Sequence, residues 1–133
     1  TVISAWLESL FFSKNKKAFI EGDGKQTRDF CYVDNIVDAN ILAMKAKKRF
    51  KGEVFNVSSG KKVNINTVKN LIEKYSNKKL ALKKRPPRKG DIRDNQADIS
   101  KAIKHLGYSP KINFENGLKQ TMEWFKKRNF LKT

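Results

Sequence analysis

Residues 22–34, Gly22-Asp23-Gly24-Lys25-Gln26-Thr27-Arg28-Asp29-Phe30-Cys31-Tyr32-Val33-Asp34, constrain this chain more than any other stretch. Two glycines one residue apart predict a tight reversal, because glycine takes positive φ without a Cβ clash. The apolar run at 30–33 then reads as a short buried strand. Asp34 is placed to cap a following helix by accepting backbone N–H bonds. Arg28 therefore stands at a rigid junction between turn and strand. There its planar donor fork can meet a phosphate bidentately, or it can be the surface arginine of a plain hairpin.

Helical and strand periodicities alternate through the rest of the chain. Ile3, Trp6, Leu7, Leu10 and Phe11 fall on one face of a helix over 2–12, followed by a polar break at 13–17. Residues 18–20 read as a strand entering the glycine turn. Beyond Asp34, the spacing predicts a helix with Val37, Ile41 and Met44 inside, ending in Lys45, Lys47 and Lys48 at the negative end of its dipole. A strand is expected at 54–57, stopped by Gly60. Asn64 caps a helix whose buried face is Ile65, Val68, Leu71, Ile72 and Tyr75, and 80–82 reads as a further strand. Pro86-Pro87 blocks helix and central-sheet pairing, so 85–97 must be extended and irregular. Asp98 caps a short helix with Ile99, Ala102, Ile103 and Leu106 inward, which Gly107 ends. Asn113 caps the last helix, with Phe114, Leu118, Thr121, Met122 and Phe125 at helical spacing.

A chain of 133 residues forms one unit, 1–133, with a modest core. It contains no apolar run near the roughly 18 residues of a membrane span, and its first residues are unlike a signal peptide. Net charge is +17, but only six of the 30 basic residues are Arg. Base readout and phosphate clamping favour Arg, so the charge reads as a lysine-rich solvated surface. A stand-alone basic module binding nucleic acid is the alternative. One cysteine, Cys31, excludes an internal disulfide and fits a reducing cytoplasm; its apolar setting predicts a structural thiol. With a single His105 beside it, no protein-only zinc site is expected.

The string Gly-Asp-Gly-x-Gln-Thr-Arg-Asp-Phe-x-Tyr-Val-Asp resembles the second half of NAD-dependent nucleotide-sugar epimerases and dehydratases, the extended short-chain dehydrogenase/reductase family. Further blocks follow in the same order: Gly52-Glu53-Val54-Phe55-Asn56-Val57-Ser58-Ser59-Gly60, then Arg88-Lys89-Gly90-Asp91-Ile92-Arg93 with Ala97-Asp98-Ile99-Ser100-Lys101-Ala102. Leu106-Gly107-Tyr108-x-Pro110 and Gly117-Leu118-x-x-Thr121-x-x-Trp124-Phe125 complete the match. The resemblance implies an α/β fold of short strands alternating with helices. It further implies a carboxy-terminal substrate-binding portion whose amino-terminal Rossmann half is absent, UDP-glucose and UDP-N-acetylglucosamine 4-epimerases being the nearest members. A cytoplasmic, homodimeric parent and a UDP-sugar substrate follow from it, with NAD bound by the absent half. A 4,6-dehydratase or reductase is the alternative within the family.

By the same resemblance, Arg28 and Arg88 hold the diphosphate, Asp91 accepts from a ribose hydroxyl, and Phe19 and Ile20 flank the nucleotide, although core packing explains those two equally well. Asp29 reads as a turn-stabilising residue. No catalytic residue is expected in this chain. Tyr75 and Lys79 spell the family's catalytic Tyr-x-x-x-Lys, but Tyr75 completes the apolar face of its helix and is assigned to packing. No glycine-rich βα turn is present to cradle a dinucleotide, so the chain alone is expected to be inactive.

Overall fold

Trp6 and Leu7 are the buried side chains of α1 (Val2–Phe11), and the Trp6 indole N–H donates to the Phe19 carbonyl at 2.9 Å. That bond fixes α1 against β1 (Ala18–Glu21). The computed structural model describes residues 2–12 and 18–130, and the polar break expected at 13–17 lies outside them. After β1 come β2 (Thr27–Arg28), α2 (Val33–Lys45), β3 (Val63–Asn64), α3 (Ile65–Ser76), β4 (Leu82–Arg85), α4 (Ser100–Leu106) and α5 (Phe114–Phe130). This is the expected alternation of short strands with helices.

The glycine turn does not close a hairpin. β1 pairs in parallel with β4, Ala18 opposite Leu82 and Glu21 opposite Arg85, while β2 pairs antiparallel with β3. β4 begins two residues later than expected, because Leu80 is a buried anchor ahead of the ladder. Pro86, which has no N–H to give, ends it. Lys83, Lys84 and Arg85 lie on the exposed edge of this pair.

One core gathers Trp6 and Leu7 with Ile20, Val68, Ile72, Leu118 and Met122. The caps that set its helices are as expected: Asn64 Oδ1 accepts from Asn66 N at 2.8 Å, and Asn113 Oδ1 from Asn116 N at 2.9 Å. Asn77 leaves α3 in the left-handed region, as Gly107 leaves α4. A second, smaller core packs Ala39 of α2 on Ala102, Leu106 and Tyr108.

Other expectations fail, each for a physical reason. The strand expected at 30–33 meets no partner among the described residues: 30–32 form no ladder, and Val33 is already the exposed first residue of α2. Helix α2 starts at Val33 with Tyr32 as its cap residue, and Asp34 lies in the first turn, where a carboxylate still suits the dipole. The larger apolar face of α2 points outward: Val37 and Ile41 are exposed, and Met44 is 84% exposed. Its inward face carries Ala39 and Asn35, and Asn35 is fully buried. That amide donates to the Ile112 carbonyl at 2.8 Å and accepts from the Lys111 and Ile112 N–H groups at 3.0 Å, which removes the cost of burying it. Residues 54–57 also meet no partner strand among the described residues; Phe55 and Val57 join the second core, and Val54 is exposed. In α4, Ile99 rather than Asp98 is the cap residue, Asp98 bonding Ser100 N at 2.9 Å from one position further out, and Ile103 is half exposed.

Candidate diphosphate-binding site

The turn that enters the site needs glycine for two separate reasons. Gly22 and Gly24 both take positive φ. A Cβ on Gly24 would also stand 2.2 Å from Asn66 Oδ1 and 2.7 Å from Ile20 Cδ1. This close approach docks the turn on the start of α3: Asn66 N donates to the Gly24 carbonyl at 3.0 Å, and Asn66 Nδ2 to that of Asp23 at 3.0 Å.

β2 then presents Arg28. Its Nη1 donates to the Thr27 and Ile92 carbonyls at 2.8 and 2.7 Å, and its Nη2 to Asp91 Oδ1 at 2.6 Å. Arg88, from the segment after β4, pairs with Glu21 Oε1 at 3.1 Å. Arg28, Arg88, Asp91, Phe19 and Ile20 all line one open cavity of about 730 Å³, with Trp6 and Ala18 forming part of its floor. Ile20 is also a core residue, so its packing role is real. The Phe19 ring carries the Arg85 guanidinium at 3.3 Å from its centroid, a stacked cation that motif reading missed. It follows from the parallel register of β1 on β4, in which Lys83 stands opposite Phe19 and Arg85 lies two residues further along the same face, and residue spacing alone does not reveal that register.

Asp29 does more than steady a turn. Its Oδ1 accepts from Ser59 Oγ at 2.6 Å and Ser59 N at 3.1 Å, and its Oδ2 from Gly60 N at 3.0 Å and Ala97 N at 3.2 Å. One carboxylate thus ties together three segments around the site. Burial pushes its pKa up, but the serine and backbone donors outweigh this and hold it below the ordinary 3.8.

Tyr75 donates to the Glu115 carboxylate, and Lys79 pairs with Glu73 at 3.6 Å, beyond the end of α3. The two side chains serve different partners. Tyr75 titrates above its usual value, chiefly through the Glu115 bond, the opposite of what a tyrosinate base requires. Among the described residues, no helix is long and apolar enough to cross a membrane.

A family model described as GDP-mannose 4,6 dehydratase matches residues 9–121. The chain belongs to that family. A UDP-glucuronate 4-epimerase of Thermodesulfobacterium geofontis is 37% identical over 85% of this chain and 34% of its own length. The crystal structure of a Bacillus cereus UDP-glucuronic acid 4-epimerase with UDP-glucuronic acid and NAD superposes with a TM-score of 0.86 at 30% identity, over 96% of this chain and 40% of that one. A Thermotoga maritima UDP-glucose 4-epimerase with UDP-glucose gives 0.83 at 36% identity, with the same two coverages. The chain thus spans about two fifths or less of these relatives and matches the carboxy-terminal part of the epimerase structures. The nucleotide-sugar enzymes that the four sequence blocks resemble are the ones to which this family member is similar.

The junction of β3 and α3 does not fit a dinucleotide pyrophosphate. The strand-to-helix junction at β3 and α3 holds no glycine, and the first N–H groups of α3 are already used. Ile65 N donates to the Gln26 carbonyl at 3.1 Å, and Asn66 N to the Gly24 carbonyl and the Asn64 side chain. No opening remains there for a pyrophosphate.

Proposed function

We propose that this chain is the substrate-gripping part of an NAD-dependent UDP-sugar 4-epimerase, in which Arg28 and Arg88 clamp the diphosphate. One observation carries the reading: two arginines from separate segments face a single open cavity, each resting on a carboxylate. A diphosphate carries two charges, and converging guanidiniums satisfy it with charge-assisted bonds. It replaces Glu21 at Arg88, while Asp91 keeps the Arg28 fork oriented and offers its other oxygen to a ribose hydroxyl. The Phe19 face bearing Arg85 forms a wall for the nucleoside. Chemistry at C4 belongs to the part of the complete enzyme that holds NAD, and residues 1–133 act as one carboxy-terminal unit without it.

Holding the nucleotide end while the sugar turns is binding energy spent away from the reacting carbon. The names of the solved relatives favour epimerisation. The description of the matched family keeps a 4,6-dehydratase as the second reading, with the same grip. In the complete enzyme, Arg28→Ala and Arg88→Ala should each weaken UDP binding about ten- to a hundredfold by calorimetry, the size of a lost charge-assisted bond. UDP affinity unchanged in both would overturn the reading.

A further inference from the structure

Arg93 and Asp23 lie outside the proposed clamp, yet two hydrogen bonds join them, where the Arg28–Asp91 and Arg88–Glu21 pairs have one each. Arg93 Nη1 donates to Asp23 Oδ1 at 3.2 Å and Nη2 to Oδ2 at 3.1 Å, a two-pronged pair. The Asp23 side chain is itself fixed, because Lys25 N donates to Oδ1 at 2.9 Å. The Arg93 carbonyl accepts from Thr27 N at 2.9 Å, so both ends of Arg93 are attached to the glycine turn and the strand it leads into. Next to it, Thr27 Oγ1 donates to Asp94 Oδ1 at 2.6 Å.

The other end of the same segment is attached to the same turn, with Gly22 N donating to the Arg85 carbonyl at 3.0 Å. Residues 86–92 are therefore a short loop with both feet on residues 22–28. That loop carries Arg88 and Asp91 and is closed internally by Asp91 N on the Arg88 carbonyl at 3.1 Å. Arg28 rises from the surface on which the loop stands. Gly90 is in the left-handed region with open space around it, so nothing packed against the loop there holds its shape. Within the loop, Asp91 and the Ile92 carbonyl are held by Arg28, and Arg88 by Glu21; the feet set where that bonded loop stands.

We propose that Arg93 is a positioning residue for the diphosphate clamp: its two-pronged pair with Asp23 sets where the 86–92 loop presents Arg88 and Asp91 to Arg28. Arg93 lines not the 730 Å³ cavity but the adjoining one of about 500 Å³, which it shares with Arg88 and Asp91; its guanidinium is occupied by Asp23, so it acts through the loop rather than on the ligand. This rests on the clamp reading above. An exposed ion pair is weak in isolation, but a planar fork on a prefixed carboxylate within a network is the geometry in which such a pair counts.

The test is UDP affinity of the complete enzyme, by calorimetry, for Asp23→Asn, Arg93→Lys, Arg28→Ala, Arg88→Ala and Asp23→Asn/Arg88→Ala, each with a thermal melt to establish folding. Asparagine keeps the acceptor for Lys25 N, and lysine keeps the charge and the carbonyl, so both singles preserve the turn. Asp23→Asn and Arg93→Lys should each weaken UDP roughly two- to fivefold. Arg88→Ala should cost less in the Asp23→Asn background than in the wild type, because a loop set free no longer presents Arg88 well. A purely structural role would leave the cost of Arg88→Ala equal in both backgrounds, and that result overturns the proposal. Unchanged or tighter UDP binding by Asp23→Asn does so too, the latter marking Arg93 as a direct phosphate ligand. If Arg28→Ala weakens binding while Asp23→Asn does not, the clamp stands and the positioning role falls. If Arg28→Ala has no effect, both fall.

Discussion

Asp91 Oδ1 lies 2.6 Å from Arg28 Nη2, joining two residues 63 positions apart that the sequence motifs assign to different parts of one ligand. The pair fixes the plane of the guanidinium, since Nη1 is held at the same time by the Thr27 and Ile92 carbonyls. On the proposed reading Asp91 has two tasks, orienting Arg28 and meeting a ribose hydroxyl with its second oxygen.

Those tasks can be separated. Asp91→Ala should weaken UDP binding to the complete enzyme about tenfold, from two lost hydrogen bonds to a charged group partly offset by relaxation. With 2′,3′-dideoxy-UDP the penalty should shrink, because the ribose contact is already missing. Equal penalties for the two nucleotides would assign Asp91 to Arg28 alone.

Asp29 gives a pH dependence of known sign. Its folded pKa is depressed, so its four bonds contribute fully above the ordinary carboxylate value of 3.8 and are lost as pH falls through the lower folded value. Wild-type stability should therefore drop below about pH 4, and Asp29→Asn should flatten that drop while costing roughly 1.5–3 kcal/mol at neutral pH. Urea melts between pH 2 and 7 measure both. An unchanged acid limb in the variant would contradict the cross-linking role.

How much of this was legible in the sequence differs by element. Helices α3 and α5 were, because their apolar period and their asparagine caps point to the same ends. Helix α2 was read onto the wrong face. Side-chain size ranks Val37, Ile41 and Met44 as core, but burial goes to the face that fits, here Ala39 on Ala102 beside an asparagine with its hydrogen bonds made. Residues 54–57 have the composition of a strand, and a strand also needs a neighbour. The candidate site residues were named from the family resemblance, Arg28, Arg88 and Asp91 through short motifs that carry residue type and spacing, and Phe19 and Ile20 through the strand they occupy. The Arg28–Asp91, Arg88–Glu21 and Arg93–Asp23 pairs were not, since each depends on two distant segments crossing.

The outward face of α2 carries a further expectation. Val33, Val37, Ile41 and Met44 recur at helical spacing and are exposed, a stripe that soluble monomers rarely leave uncovered. The isolated 133-residue chain should self-associate at high concentration, and Val37→Lys with Ile41→Lys should reduce this without lowering the melting temperature. Sedimentation of a clean monomer by the unmodified chain would contradict it. By contrast Ile72→Ala, on the buried face of α3, should cost about 2–5 kcal/mol of stability.

The central claim is that Arg28 acts as a fork and not merely as a positive charge. Lysine at this position keeps the charge but cannot hold Asp91, the Ile92 carbonyl and a phosphate in one plane. The most direct measurement is the UDP affinity of the complete enzyme carrying Arg28→Lys, beside Arg28→Ala and Lys84→Ala, the last removing a charge from the neighbouring edge strand. The clamp predicts that lysine recovers only part of the ten- to hundredfold loss seen with alanine, that Lys84→Ala is nearly silent, and that NAD affinity is unchanged throughout. Full recovery by lysine, or a loss from Lys84→Ala as large as that from Arg28→Ala, would contradict it and leave only a basic surface.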